Sequence, residues 1–153
     1  MKRAYVALGS NLGDREATIR AALAALAAEP DVRVAAVSAL VETDPVGYVD
    51  QPRFLNGAAA LDTSLAPRAL LDLLLAVERR FGREREGAPA QGPRTLDLDL
   101  LRYGNAEIDE PGLRVPHPRL HERAFVLGPL AVLDRSLEVP GKGDIQTLLA
   151  GLH

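Results

Sequence analysis

The order of strand and helix patterns along the chain predicts an α+β fold, in which helices pack on an antiparallel sheet. Apolar alternation or β-branched runs typical of strands cover residues 2–8, 32–43, 54–61 and 95–101. Apolar residues recur with helical spacing over residues 15–28 and 67–81. The predicted order is strand, helix, strand, strand, helix, strand. This order makes two βαβ-like halves joined by a hairpin, which is the ferredoxin-like arrangement.

The turn between the first strand and the first helix, residues 9–14, is rich in small and capping residues. A glycine-containing turn in this position can hold a phosphate, but its pattern matches neither the dinucleotide-binding motif nor the nucleotide phosphate-binding loop. We therefore favour an ordinary strand-to-helix turn in which Asp14 or Asn11 caps the helix. Pro30 lies just beyond the predicted end of that helix.

A long loop, residues 44–52, separates the second and third strands and contains two prolines and one glycine. Loops of this length inside a compact domain are often functional. Asn56, just inside the third strand, carries both donors and acceptors and could recognise the edge of a heterocycle. A surface asparagine, or one that bonds to a turn, is the commoner alternative.

The second helix begins at Pro67, which suits a first helical turn, and Gly82 is a natural stop. Its apolar stripe consists of Leu70, Leu74, Val77 and Phe81. Residues 83–91 follow without periodicity, and we expect an arginine-bearing loop that leads into the fourth strand. Arg83 and Arg85 could equally belong to a solvated run that the neighbouring glutamates neutralise.

The fourth strand contains the pattern Thr-Leu-Asp-Leu-Asp-Leu, in which polar and apolar residues alternate from Thr95 onward. Its leucines should face the core, and Asp97 and Asp99 should project together from the other face. Two carboxylates so placed repel each other unless a cation lies between them, and Mg²⁺ prefers oxygen ligands. Arg94 adds a phosphate-binding cation beside this predicted metal site. The simpler alternative is that both aspartates only make a strand face polar.

Shorter elements are predicted after the fourth strand. Residues 103–105 form a turn and residues 107–115 a short hairpin. His117 stands between two prolines, which stiffen the chain around it. Helices over residues 122–133 and 144–152 make a C-terminal helical extension.

Length and composition place the chain among compact folded proteins and exclude several kinds of site. The 153 residues suffice for one domain, residues 1–153, and 47% hydrophobic and 25% charged residues are ordinary for a soluble protein. A net charge of -3 argues against nucleic-acid binding, and the absence of cysteine excludes disulfides, thiolate zinc sites and cysteine nucleophiles. No signal peptide or membrane span is evident, so we expect a cytoplasmic protein without a membrane partner.

Several short motifs occur in a fixed order along most of the chain. The run Gly-Pro-Arg-Thr-Leu-Asp-Leu-Asp covers residues 92–99. Further motifs lie at residues 7–13, 50–56, 78–83, 115–119 and 123–125. Together they resemble the motifs of the 6-hydroxymethyl-7,8-dihydropterin pyrophosphokinase family, and the run at 92–99 matches the most diagnostic of these at every position. One such motif is weak, but their combination in register is specific.

The resemblance implies transfer of pyrophosphate from ATP to the hydroxymethyl group of the reduced pterin, with release of AMP, in folate biosynthesis. It implies two Mg²⁺ ions held by Asp97 and Asp99. The catalytic residues would be Arg83, Arg94, Asp97 and Asp99. The expected partners are these two small-molecule substrates, with no nucleic acid, and we expect a monomer or a weak dimer.

The resemblance also implies which residues bind each substrate. The pterin would lie between Phe54 and Phe125, hydrogen-bonded by Asn56 and by backbone around Thr43 and Val46. The residues implied for ATP are Glu78, Arg83, Arg85, Arg94, His117 and Arg123. Leu75 and Pro118 depart from the polar residue and the tyrosine that sometimes stand at these positions in the family.

Two other functions fit some of these residues. A ligand-binding module without catalysis is possible, because a ferredoxin-like fold does not by itself decide function. Paired carboxylates beside three arginines favour catalysis over passive binding. A metal-dependent nuclease could use the same aspartate pair, but the net negative charge counts against it.

Overall fold

A computed structural model of the chain describes residues 1–11, 13–44, 53–81, 96–120 and 123–152. The strands in these ranges are β1 (Lys2–Ser10), β2 (Val32–Val37), β3 (Val41–Thr43), β4 (Phe54–Thr63), β5 (Asp97–Tyr103), β6 (Ile108–Glu110), β7 (Leu113–Val115), β8 (Glu138–Val139) and β9 (Gly143–Asp144). The helices are α1 (Arg15–Ala27), α2 (Pro67–Arg80), α3 (Ala124–Leu133) and α4 (Ile145–Ala150).

The main sheet has the strand order β2-β4-β1-β5, and β3 pairs with β4 beyond the end of β2. Every pairing in this sheet is antiparallel. The prediction of a mixed structure with helices and an antiparallel sheet is therefore confirmed. Because β1 lies at the centre and β5 at one edge, side chains near the end of β1 have neighbours on both sides.

Apolar side chains cover both faces of the sheet. On one face, Leu8 and Leu98 pack with Ile19 of α1 and Leu74 of α2. On the other face, Tyr5 and Leu101 belong to a cluster that also contains Leu127 of α3 and Ile145 of α4. Burying one such leucine contributes about 1.5–3 kcal/mol. Among the described helices, none has the length and hydropathy needed to cross a membrane.

The prediction of one continuous strand over residues 32–43 was wrong, because the structure has β2 and β3 with a break between them. At the break, the Ser38 backbone N–H donates a hydrogen bond to the Ala58 carbonyl oxygen, and the Ser38 hydroxyl accepts one from the Ala58 N–H, each at 2.9 Å. Leu40 then folds over Gly57, where an added Cβ would lie only 2.7 Å from the Leu40 Cδ2. The Ser38 hydroxyl thus accepts a hydrogen bond that a backbone carbonyl would accept in a regular β-ladder.

The first predicted strand is longer than expected, and residues 9 and 10 belong to it rather than to the turn. Gly9 has strand partners on both sides, Asn56 in β4 and Asp97 in β5. Asp14 caps α1 as predicted, because its carboxylate accepts a hydrogen bond from the Ala17 N–H at 3.1 Å. This cap satisfies one of the exposed donors at the start of the helix.

The C-terminal part contains the predicted hairpin, formed by β6 and β7. The structure differs from the prediction at two places in this part of the chain. The pair of two-residue strands β8 and β9 was not predicted, since such short strands have no readable periodicity. The last helix is shorter than predicted, and Asp144 caps it by accepting from the Thr147 N–H at 3.1 Å.

Asp62 joins three strands, and we expect it to set part of the acid stability. Arg3 of β1 bonds it at 2.6 Å and Arg33 of β2 at 2.7 Å, and these bonds lower the pKa of the Asp62 carboxyl from 3.8 to about 2. The stabilisation is present above pH 3.8 and is lost as the pH falls through about 2. Since both arginines are largely exposed, it amounts to about 1 kcal/mol.

Asp62→Asn should lower the free energy of unfolding at neutral pH and flatten its decline between pH 4 and pH 2, measured by urea unfolding at about half-unit pH steps. Asp72→Asn, which removes an exposed carboxylate from α2, is the control. Identical pH dependence of the two variants would contradict the role of Asp62.

Candidate active site

A first cavity, of about 280 Å³, opens at the end of the sheet on the face covered by α3. The strands β1, β4 and β5 each contribute residues to it near one end. The polar and aromatic side chains that line it are Thr43, Asp44, Phe54, Asn56, Asp97, Asp99, His117, Arg123 and Phe125. Its apolar lining includes Leu101 and Val126. The cavity therefore combines apolar and polar lining residues, the usual composition of a small-molecule site.

Gly9 allows two of these polar side chains to approach each other. A Cβ at Gly9 would lie 2.9 Å from the Asn56 Oδ1 and 3.8 Å from the Asp97 Cβ. Only glycine fits there without displacing the amide. Gly9 was not predicted as a site residue, although a glycine inside an apolar strand is a known sign of close approach.

Thr43, Phe54 and Asn56 lie together because β3 and β4 pair beside the cavity. Thr43 is the strand partner of Phe54. The Asn56 Nδ2 donates a hydrogen bond to the Thr43 Oγ1. This bond sets the orientation of the amide and leaves its oxygen, Oδ1, on the side of Gly9.

Phe125 in the first turn of α3 also lines the first cavity. The Arg123 guanidinium carbon lies 5.7 Å from the centre of the Phe125 ring, which is within the range of a cation–π contact. Arg123, which the resemblance implied for ATP, thus lies beside the aromatic ring that it implied for the pterin. The sequence alone could not show which substrate Arg123 lies beside, because Arg123 and Phe125 are only two positions apart in one motif.

Asp97 and Asp99 project from the same face of β5, as the alternation predicted. Leu98 and Leu100 are buried in the core on the other face, whereas both aspartates are half-buried and line the first cavity. Two carboxylates on one strand face suit Mg²⁺, which commonly takes one or two carboxylates and completes its shell with water and phosphate. No group of three or more His, Cys, Asp or Glu that could hold a metal occurs among the described residues.

A second cavity lies around the edge of β5, between α2 and the β6–β7 hairpin. Its lining includes Leu71 and Leu75 of α2. In the part of the chain that the structure describes, only Asp99 and His117 line both cavities. The two cavities therefore meet at a carboxylate and an imidazole.

Glu78 is a buried carboxylate that lines the second cavity and holds the edge strand. Its side chain is 2% exposed, and its Oε2 accepts a hydrogen bond of 2.7 Å from the backbone N–H of Leu98. Leu98 lies between the two aspartates, so this bond fixes the part of β5 that carries them. A charge-assisted bond of this kind is stronger than one between neutral groups.

His117 presents a defined tautomer to the region where the cavities meet. Its Nδ1 accepts a hydrogen bond of 3.1 Å from the Arg119 N–H, so the proton of the neutral ring is on Nε2. Burial and the nearby Arg123 lower the pKa of His117 below 6.5, although Asp97 acts in the opposite direction. The ring can therefore donate one hydrogen bond from Nε2 at neutral pH.

The structure brings eight of the predicted site residues to the first cavity: Thr43, Phe54, Asn56, Asp97, Asp99, His117, Arg123 and Phe125. Glu78 lies in the second cavity. The remaining predictions, Val46, Arg83, Arg85 and Arg94, lie outside the described residues.

Comparison with known proteins identifies the family of the chain. A family model described as 7,8-dihydro-6-hydroxymethylpterin-pyrophosphokinase matches residues 5–135. A 2-amino-4-hydroxy-6-hydroxymethyldihydropteridine pyrophosphokinase from Pseudomonas aeruginosa is 51% identical over 150 residues, which cover 98% of this chain and 91% of that protein. The protein of the same description from Bacillus subtilis is 50% identical over 135 residues, which cover 88% of this chain and 80% of that protein.

Solved structures with the same fold are much more distant in sequence. A Plasmodium falciparum HPPK-DHPS structure superposes with a TM-score of 0.71 at 12% identity. The match covers 98% of this chain and 44% of that one. At this identity the likeness concerns the fold alone.

An antiparallel sheet that carries two cavities meeting at Asp99 and His117 has room for two small molecules, as an enzyme with two substrates requires. The chain belongs to the 7,8-dihydro-6-hydroxymethylpterin-pyrophosphokinase family. It is a pyrophosphoryl transferase of folate biosynthesis. Enzymes of this family use ATP as co-substrate.

We expect Glu78→Ala to destabilise the protein by about 1–3 kcal/mol, because the buried Leu98 N–H loses its acceptor. Glu78→Gln keeps a carbonyl oxygen at the same place and should lose less stability than Glu78→Ala. The measurement is urea unfolding of both variants beside the unchanged protein. Equal stability of all three would show that the bond to Leu98 contributes little.

Proposed function

We propose that the first cavity binds the pterin acceptor and the second binds ATP, so that pyrophosphate passes between them at Asp99 and His117. The observation that supports this is the overlap of the two cavities at these residues. A transferase must bring its two substrates within bonding distance while it holds each in its own site. The products are the pterin diphosphate and AMP.

The first cavity suits a flat heterocycle with polar edges. Phe54 and Phe125 offer aromatic faces, and stacking on such a face is worth about 1 kcal/mol beyond the area it buries. The Asn56 oxygen can accept hydrogen bonds from the ring N–H groups, since its amide nitrogen is engaged by Thr43. Backbone around Thr43 and Val46 supplies further partners in this proposal.

The second cavity suits a nucleotide. Leu71, Leu75 and Pro118 form apolar walls for the base. Glu78 lies near the nucleotide, where it also holds Leu98.

The triphosphate would extend toward the region shared by the cavities. There the neutral His117 can donate from Nε2 to a phosphate oxygen. The arginines assigned to the phosphates are Arg83, Arg85, Arg94 and Arg123.

Two Mg²⁺ ions held by Asp97 and Asp99 are part of the proposal. Bound there, the ions would supply positive charge that neutralises the phosphates. The second cavity is lined by Asp99, Asp109 and Glu110 as well as by Arg114. Asp109 pairs with Arg114 and Glu110 with Arg68, each at 3.1 Å, and in this proposal the nucleotide enters the cavity paired with a divalent cation.

The reaction needs alignment and charge neutralisation rather than a covalent intermediate with the protein. The hydroxymethyl oxygen forms a bond to the β-phosphorus, the bond from that phosphorus to the oxygen of AMP breaks, and the proton of the alcohol is released to water. Phe54, Phe125 and Asn56 orient the acceptor. Arg83 and Arg94 neutralise charge that grows on the transferred oxygens, each worth about 3–5 kcal/mol.

The proposal also includes the detailed strand arrangement, the domain organisation, the location and the oligomeric state. The strand order β2-β4-β1-β5 supports the ferredoxin-like arrangement, with β3 as an added strand beside β2. We also propose that residues 1–153 form a single pyrophosphokinase domain. A cytoplasmic location, a monomeric or weakly dimeric state and the lack of nucleic-acid binding stay predictions.

The proposal is tested by incubating the protein with Mg-ATP and 6-hydroxymethyl-7,8-dihydropterin and separating the nucleotide products. Formation of AMP in step with pterin diphosphate is expected. ADP as the product would mean transfer of a single phosphoryl group and would refute it. Binding of the pterin without turnover would favour a binding module.

Asp97→Ala and Asp99→Ala should each lower the rate of AMP formation by about a hundredfold or more, because each removes a carboxylate from the metal site. Both variants should remain folded, since these side chains face the cavity rather than the core. Circular dichroism and thermal unfolding check the fold. Asp72→Ala, on the surface of α2, is the matched control, and full activity of either site variant would refute the metal assignment.

Phe125→Ala should raise the KM for the pterin about tenfold, which corresponds to about 1.4 kcal/mol of lost stacking and burial. The KM for ATP should change little, because Phe125 lines only the first cavity among those described. Phe125→Tyr keeps the aromatic ring, and its KM for the pterin should stay close to that of the unchanged protein. Steady-state kinetics with each substrate varied in turn distinguishes these cases, and an equal rise in both KM values would count against the assignment.

A further inference from the structure

Four charged side chains form a cluster at the rim of the first cavity. They are Arg15, Glu42, Asp44 and Arg53, and we call them the rim cluster. Arg15 bonds Glu42 with 2.5 Å between Nη2 and Oε1. Arg53 bonds the other oxygen of Glu42 at 3.3 Å and bonds Asp44 at 3.2 Å. The cluster lies next to the substrate residues in sequence, yet of its members only Asp44 lines the cavity.

Arg15 forms a hydrogen bond to a main-chain carbonyl in addition to its ion pair with the Glu42 side chain. Its Nη1 donates a hydrogen bond of 2.9 Å to the backbone oxygen of Arg53. One guanidinium at the start of α1 therefore joins a side chain of β3 to the main chain immediately before β4. The planar fork of arginine can bond two acceptors at once, whereas a lysine ammonium is a single point of charge.

The residues held in this way immediately precede two residues that line the cavity. Glu42 precedes Thr43, and Arg53 precedes Phe54. Thr43 and Phe54 are strand partners at the end of β3. A shift of β3 would therefore move Thr43 away from the Asn56 amide that it orients.

The strand β3 has few bonds of its own to keep it in place. It has three residues, and it pairs with β4 alone among the described strands. Val41 is 53% exposed, so little apolar packing holds it. A short strand of this kind opens easily unless side-chain contacts hold it closed.

We propose that Arg15 is a positioning residue for the pterin pocket, because it clamps β3 to β4 through Glu42 and the Arg53 carbonyl. The clamp keeps Thr43 in contact with Asn56. This inference rests on the proposed function, since it takes the first cavity as the pterin site. Arg15 touches neither substrate in this assignment.

An exposed ion pair contributes little to global stability, so the effect should be local. Arg15 and Glu42 have side chains that are 29% and 46% exposed. Such pairs are typically worth about 0–1 kcal/mol in overall unfolding. The Arg15 hydrogen bond and charge lower the pKa of Glu42, so the pair stays ionised at neutral pH.

Arg15→Ala is expected to raise the KM for the pterin about five- to tenfold, because the fraction of protein with a formed pocket falls by that factor. The KM for ATP and kcat should change by less than about twofold, since the second cavity is untouched. Arg15→Lys keeps the charge but cannot bond both Glu42 and the Arg53 carbonyl. Its KM for the pterin should lie between those of the unchanged protein and Arg15→Ala.

Arg20→Ala is the matched control. Arg20 lies on the same helix and forms an exposed ion pair of 2.8 Å with Glu16. Its loss changes the net charge equally but leaves the rim cluster intact. Equal effects of Arg15→Ala and Arg20→Ala would mean a general effect of charge and would overturn the proposal.

Two further measurements separate positioning from other causes. Amide hydrogen exchange of Val41–Thr43 should be faster in Arg15→Ala and unchanged in Arg20→Ala. Combining Arg15→Ala with Glu42→Gln should raise the KM for the pterin by less than the product of the two separate effects, because both variants remove the Arg15–Glu42 pair and only the bond from Arg53 to Glu42 is lost in addition. Full additivity of the two effects would overturn the proposal.

The Phe125→Ala variant, assayed in parallel, tells the two possible failures apart. If Phe125→Ala raises the KM for the pterin and Arg15→Ala does not, the pocket assignment stands and the clamp is wrong. If Phe125→Ala has no effect on that KM, the first cavity is not the pterin site and both proposals fail. A selective rise in both variants, with faster exchange only in Arg15→Ala, supports the clamp.

Discussion

The pairing of β1 with β4 on one side and with β5 on the other is the constraint on which the site depends. Gly9 near the end of β1 is the partner of both Asn56 and Asp97. The absence of a side chain at that position lets the amide and the carboxylate approach across it. A slip of one residue in either register would turn these side chains to the opposite face of the sheet. In the proposed function, recognition of the pterin by Asn56 and metal binding by Asp97 both depend on this one glycine.

Placing the aspartates on an edge strand gives access to them from two sides. An edge strand exposes unpaired backbone groups, which natural proteins cover in some way. Here the Glu78 carboxylate accepts the outward N–H of Leu98 between the two aspartates. The second cavity can therefore form around the edge while the strand keeps its place. The same arrangement lets Asp99 line both cavities.

Local patterns were reliable where a single physical preference decided the outcome. The alternation around Leu98 predicted which face of β5 carries the aspartates, and of the two predicted caps of α1, Asp14 or Asn11, Asp14 is the one observed. Prediction failed where side chains compete with the backbone. Ser38 bonds into the ladder and interrupts the second strand, although the residues around it have ordinary strand propensity. The prediction that Gly9 belongs to a turn was wrong, because its two strand partners, Asn56 and Asp97, are distant in sequence.

The sequence by itself determined the class of fold, the faces of the Asp97 strand and, through its motifs, the family. These depend on local periodicity, capping and residue type, all of which can be read within a few neighbouring positions. Only the tertiary structure decided that Arg123 lies over Phe125 beside the first cavity, and that Arg15 reaches the carbonyl of Arg53, 38 residues away. Such contacts follow from strand register and helix packing. Those are set by the burial of many side chains together, and no local stretch of sequence specifies them.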